Sequence, residues 1–250
     1  MRKSKGFSRF EYKHLRIYKK ELLDVVKIGF PTAIQTSLFS ISNVIISSAI
    51  NSFGDLALEG LGGGAQIDAF IYTVGNAVAN ASMSIISQNV GAKNMARVKK
   101  VIKTSILSVM CLELVICGLI LIFSKPLLSI FVEREGALVF GQQRLMVLAF
   151  AFIIDGAMEV MQFSMRAMGK STTSMVLAIF FVCIFRIIWI NSFFLLNRTV
   201  IMLFISYPIT WMLNLLAHIA VTVPLMKKLT KKFESEKECE KECEKENQPA

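Results

Sequence analysis

Six stretches of the chain, residues 28–51, 65–90, 101–123, 145–168, 175–196 and 200–226, stay apolar long enough to cross a hydrocarbon layer of ~30 Å at about 1.5 Å per residue. A helix satisfies every backbone N–H and C=O within its own segment, so this pattern predicts an all-α polytopic membrane protein with six transmembrane helices. The first two stretches carry the most polar residues. Residues 1–27 read as a basic amphipathic segment, 28–226 as the membrane domain, and 227–250 as a charged tail. The tail runs EKECEKECEKEN from residue 236, a composition too polar to bury a core, and is expected to be disordered.

Charge adds direction to these spans. Lys and Arg gather in residues 1–27, 91–104, 166–173 and 227–232, whereas the intervening connections hold few. The rule that cytoplasmic connections are the basic ones then puts both termini in the cytoplasm, and an even number of spans agrees. The chain is 54% hydrophobic and 18% charged, its mean hydropathy is +0.57, and its net charge is +10. In a soluble protein that charge would suggest nucleic acid, but here the cations sit between apolar blocks, so the partner expected is the lipid bilayer. Cys111, Cys117 and Cys183 lie in apolar runs and Cys239 and Cys243 in the tail, with none of the pairing of a secreted disulfide scaffold. The cysteines at 239 and 243, one helical turn apart, are weak candidates for a metal or a lipid. The N-terminus lacks the apolar stretch and cleavage site of a signal peptide.

The residues that are costly in a membrane mark the candidate chemistry. Asp155, Glu159, Gln162 and Arg166 fall within about a 60° stripe of one helix at 100° per residue. A carboxylate facing lipid costs about 2.5 kcal/mol or more, so this edge should face a partner helix or a wet cavity. A fixed Glu159–Arg166 ion pair is the structural alternative, while Asp155, deepest and without a base one turn away, is the better functional candidate. Two further polar stripes run through Thr36, Ser40, Asn43, Ser47 and Asn51, and through Asp68, Tyr72, Asn76, Asn80, Ser84 and Ser87. Close helix packing accounts for any one of these residues, but three such stripes together favour a polar cavity, with Gln35 beside them. Met158, Met161, Met165 and Met168 read as packing filler more than as an adaptable binding surface. Arg186, in mid-span, needs an anion such as Asp155 or Glu159. Pro31 is expected to open the first span and Pro208 to kink the sixth. Gly62, Gly63 and Gly64 read as a turn ahead of a helix. No GxxxxGK[ST], GxGxxG, HExxH, CxxC or GxSxG occurs, and His14 and His218 are isolated, so an enzyme is not expected.

Several separated segments, in order, resemble the multidrug and toxic compound extrusion (MATE) family. IGFPTAIQTSLFSISNVIISSAINSFG (residues 28–54) is similar to the first helix of that family's C-terminal lobe. SQNVGAKNMARVKK (87–100) resembles its QN.GA....R loop through Gln88, Asn89 and Gly91, and DGAMEVMQFSMRAMGKST (155–172) its pattern at Asp155, Arg166 and Gly169. SYPITW (206–211), with Pro208, continues the similarity. The resemblance covers roughly residues 15–230.

It implies one six-helix lobe of a twelve-helix antiporter of bacterial plasma membranes, exporting organic, often cationic compounds in exchange for Na+ or H+, with no other cofactor. Asp155 matches the carboxylate that the sodium-coupled branch uses in this helix and would couple the ion, with Glu159 as its electrostatic partner or a counter-charge to substrate. Gln35, Ser40, Asn43, Asn76, Asn80 and Gln162 would line its cavity, and Pro31, Gln88, Asn89, Gly91, Arg166, Gly169, Arg186 and Pro208 would be structural positions. The sodium-coupled branch carries a glutamate eight residues after the helix-opening proline, where this chain has Phe39. A separate N-lobe protein or a second copy is the partner expected. A non-transporting remnant or assembly subunit, and a lipid or oligosaccharide flippase, are the alternatives.

Overall fold

The computed structural model describes residue 16 and residues 18–246. Its main helices are α1 (Lys19–Asn51), α2 (Asp55–Gly91), α3 (Met95–Ile122), the short α4 (Ser124–Leu128) and α5 (Glu135–Ala167). A broken fifth span follows: α6 (Ser171–Ala178), a π-helical segment (Ile179–Ile184), α7 (Phe185–Asn191) and α8 (Phe193–Leu196). The sixth comprises α9 (Val200–Phe204) and α10 (Ser206–Glu246). Six helical segments are long and apolar enough to cross a membrane, and no strand occurs among the described residues. Most of the basic segment and the side chains of Cys239 and Cys243 lie outside the described residues.

α5 is the centre of the bundle. It packs on α2, α3 and α10, and every residue from Asp155 to Arg166 is buried, so this half of the helix has neighbours all round. On the periphery the rule inverts: Leu107, Val115, Ile122, Phe150 and Leu196 are exposed, as expected for a surface whose solvent is lipid.

The α2–α5 contact depends on small residues. Gly60 lies against the Ala137 carbonyl so closely that a Cβ would overlap it, and a Cβ on Gly141 would come within 2.9 Å of the Gly60 carbonyl and 2.8 Å of Leu128 Cδ2. Small residues that let backbones approach are the usual means of packing helices in lipid. The glycine triplet belongs to this contact. It is helical, within α2, and not a turn; a Cβ at Gly63 would lie 2.5 Å from Val132 Cγ2, and one at Gly64 3.0 Å from the Arg144 side chain. At the same end Glu59 accepts from the backbone N–H groups of Glu133 (2.9 Å) and Arg134 (3.0 Å) and pairs with the Arg134 guanidinium, fixing the chain as it enters α5.

Several expected features differ in place. α1 begins well before Pro31, which therefore sits inside a continuous helix; its ring removes one N–H, and next to it Thr32 Oγ1 donates to the Ile28 carbonyl at 2.9 Å. Pro208 lies in the first turn of α10, with the interruption at Ile205 just ahead of it, while Pro224 is the proline inside the helix. α10 continues to Glu246 through the tail expected to be disordered. Glu and Lys are good helix formers, and Glu236 pairs with Lys232 one turn earlier (3.7 Å) and with Lys93 at the α2–α3 turn (3.0 Å).

Candidate functional site

An open cavity of about 510 Å³ enters the bundle between α1, α2, α5, the fifth span and α10. Thr36, Ser40, Asn43 and Ser47 of α1 line it. Three of these hydroxyls donate to their own helix, Thr36 to the Thr32 carbonyl (3.0 Å), Ser40 to Thr36 (3.1 Å) and Ser47 to Asn43 (3.0 Å), which leaves their lone pairs turned outward as acceptors. Asp68 and Tyr72 of α2, Asp155, Met158 and Glu159 of α5, Arg186 of α7, and Tyr207 and Trp211 of α10 complete the polar and aromatic wall. Phe39, at the position where the resemblance implies a glutamate in the sodium-coupled branch, also faces this space.

The two carboxylates singled out from the sequence have different surroundings. Glu159 accepts from Tyr72 Oη (3.0 Å) and Asn76 Nδ2 (2.9 Å), and Asn80 Nδ2 in turn donates to Asn76 Oδ1 (2.7 Å). This chain of donors along one face of α2 gives each Glu159 carboxyl oxygen a partner. Asp155 is 3% exposed and receives no hydrogen bond from any described residue, so its oxygens are left to the cavity. Arg186 lines the same space, but it stacks over the Tyr207 ring (3.9 Å) and donates to Thr210 Oγ1 (3.3 Å), while its Nε is unpaired. The anion expected for Arg186 is therefore supplied through space and not by a hydrogen bond.

Ser40, Asn43, Asp155 and Glu159 meet at the cavity; Gln35, Asn76, Asn80 and Gln162 lie outside its lining. Gln35 is buried and accepts from Arg166 Nη2 at 2.7 Å, and that guanidinium also stacks on Phe163 (4.8 Å). Arg166 and Glu159 thus have separate partners instead of the fixed ion pair weighed as an alternative. The Gln162 carbonyl accepts from Ser174 Oγ (3.3 Å), whose oxygen also lies 3.3 Å from His218 Nε2. His218, isolated in the sequence, is a buried link between α6 and α10. Met161, Met165 and Met168 are buried, and Met158 alone of that set reaches the cavity. Gln88, Asn89 and Gly91 close α2: Asn89 Nδ2 donates to the Ile85 carbonyl (2.7 Å), and the Gln88 and Asn89 carbonyls accept from the backbone N–H groups of Ala92 and Asn94. Gly169 takes φ +79° between α5 and α6, a conformation that favours glycine.

Two charged residues escaped the sequence reading. Arg144, one residue ahead of the fourth apolar stretch, lies within α5, lines the cavity, and pairs with Asp68 at 2.6 Å over the face of Phe204 (4.8 Å). Glu113 is buried in the middle of α3, in a run so apolar that one carboxylate does not disturb its hydropathy.

The fold and the sequence agree with known proteins. The family profile described as MatE matches residues 31–191. The chain is 25% identical over 174 residues to the probable multidrug resistance protein YoeA of Bacillus subtilis, covering 70% of this chain and 38% of that one. It is 29% identical over 153 residues to the probable multidrug resistance protein YpnP of the same organism, covering 61% and 34%. Among solved structures it superposes on an outward-facing multidrug resistance MATE family transporter with TM-score 0.79 and 16% identity, covering 89% of this chain and 50% of the other. A bent form of the Vibrio cholerae MATE transporter VcmN gives TM-score 0.75 and 16% identity, with the same coverage. The chain thus spans about half the length of these structures and a little over a third of the curated relatives. With the profile matching well over half of its residues, a multi-pass helical fold and a half-length superposition, this chain belongs to the MATE family.

Proposed function

We propose that this six-helix unit serves as the C-terminal lobe of a two-lobe exporter in a bacterial plasma membrane, moving organic, often cationic compounds outward in exchange for Na+ or H+ by alternating access. The observation that carries the reading is an open cavity of about 510 Å³, walled by Asp155, Glu159, the Asp68–Arg144 pair, Arg186 and five aromatic side chains, inside a bundle whose exterior is apolar. Carboxylates and aromatic faces together suit an organic cation, attracted by charge and by the ring quadrupole. The facing lobe comes from an N-lobe protein or a second copy, because the open cavity would otherwise expose costly polar groups to lipid.

Tryptophan fluorescence tests the binding half of this reading. The chain has two tryptophans, and Trp211 lines the cavity whereas Trp189 donates to the Met202 carbonyl (2.9 Å) away from it. A cationic aromatic dye should quench the wild type saturably, and Trp211→Phe should remove that component. Unchanged saturable quenching in Trp211→Phe would place the dye elsewhere.

Both termini lie in the cytoplasm in this reading, on the strength of the Lys and Arg distribution. A reporter active only outside the cytoplasm should be silent when fused after Ala250 and active when inserted near Arg134; the reverse pattern excludes this orientation.

A further inference from the structure

Glu113 has no part in the cavity wall, yet the bundle is shaped around it. Its side chain is 0% exposed and enters between α2 and α5. There a Cβ on either Gly75 or Gly156 would fall on its carboxyl oxygens. Two glycines on two facing helices thus leave the room that this carboxyl fills. Neither Oε1 nor Oε2 receives a hydrogen bond of normal geometry, and the Gly156 backbone N–H is a donor near enough to act on the carboxyl. Glu159, by contrast, takes two.

The charged and titratable neighbours sharpen the contrast. From α5, Glu159 and Asp155 are the carboxyl groups that interact electrostatically with Glu113, and on its own helix Cys117, one turn away, feels both Glu113 and Asp68 of α2. The nearby cations are engaged elsewhere: Arg144 with Asp68, Arg166 with Gln35, and Arg186 with Thr210 and Tyr207. A carboxylate out of water, with no well-formed hydrogen bond and beside two other carboxyl groups has little to offset its desolvation, whereas the neutral acid avoids both costs.

We propose that Glu113 is a proton-binding residue of the lobe, holding a proton as the neutral acid between Gly75 and Gly156 and exchanging it with the cavity by way of Glu159. In the exchange the Glu113 carboxyl gives its proton to the Glu159 carboxylate, so the pair carries one proton and one negative charge before and after. The role in coupling rests on the exporter reading, but the proton occupancy does not.

Infrared spectroscopy of the full chain in lipid at neutral pH reads the occupancy directly, as the carbonyl stretch of a protonated carboxyl in dry surroundings. Glu113→Gln should insert and fold, because an amide replaces a neutral acid of the same shape, and should lose that component. Glu113→Asp should shift it. An acid band undiminished in Glu113→Gln overturns the proposal, and if that variant fails to insert, an unshifted band in Glu113→Asp overturns it equally. Efflux from vesicles that hold this chain with its facing lobe separates the two readings. A Glu113-dependent band with no gradient-driven efflux by the wild type leaves the proton assignment standing and removes the exporter reading. Unimpaired gradient-driven efflux by Glu113→Gln overturns the coupling role.

Discussion

Asp155→Asn is expected to abolish gradient-driven efflux of a cationic dye while leaving membrane insertion intact. Asp155 is the carboxylate that the cavity, and not the protein, must satisfy, since no described residue donates to it. In the exporter reading proposed above, a proton or a cation at that position would compete directly with organic substrate for the same negative charge. Occupancy that differs between inward and outward states is what couples a gradient to a conformational equilibrium. The amide keeps the shape and loses both the charge and the titration. Glu159→Gln should act differently, because Glu159 is held by Tyr72 and Asn76: the change removes one negative charge from the wall and should mainly alter substrate preference. If Asp155 were instead an internal counter-ion, Asp155→Asn would leave Arg186 without its charge partner and lower thermal stability, with any residual efflux still following the gradient. Comparing melting temperature with efflux in the same preparation separates the two.

Gly60→Ala should be the most damaging small substitution in the membrane domain. The added methyl would overlap the carbonyl of Ala137, which is backbone on the central helix and cannot rotate away. α2 and α5 would have to separate along their whole contact, and a cost of about 3 kcal/mol or more is expected from overpacking against an unyielding neighbour. Gly62→Ala, two residues along the same helix, meets nothing within 4 Å. It should be neutral or stabilising by about 0.5 kcal/mol, since alanine is the better helix former. Thermal unfolding of both variants in detergent checks the pair; similar behaviour would mean that α2 and α5 do not approach at Gly60.

The membrane architecture was legible in the sequence because hydropathy over a span is a sum, robust to single residues. All six spans were found, though each helix extends past its apolar stretch: α2 starts ten residues earlier than the run at 65–90 suggested, since its glycines lower hydropathy without ending a helix. The same insensitivity hid the informative exceptions. Glu113 is one charge in an apolar run, and Arg144 fell just outside a boundary drawn at Leu145. The α1 stripe is a face: Thr36, Ser40, Asn43 and Ser47 line the cavity, while Asn51 at the helix end does not. On α2, periodicity put Asn76 and Asn80 on the same face as Tyr72, but a helical period says nothing of depth. Those amides turn to Glu159 and to each other instead of the cavity. Gln35, expected in the wall, instead accepts from Arg166 on another helix, a contact no local pattern contains. The π-helical segment ahead of Arg186 had no visible cause in the sequence IFFVCI.

Dye efflux from reconstituted vesicles tests the account most directly. Vesicles containing this chain with its facing lobe are loaded with a cationic dye, and efflux is followed with an imposed Na+ or H+ gradient and after the gradient is collapsed, for the wild type and Asp155→Asn. Gradient-dependent efflux by the wild type that disappears in Asp155→Asn is the result predicted. Efflux in the variant that still follows the gradient at the wild-type rate would contradict the assignment of the cavity carboxylate as the coupling group.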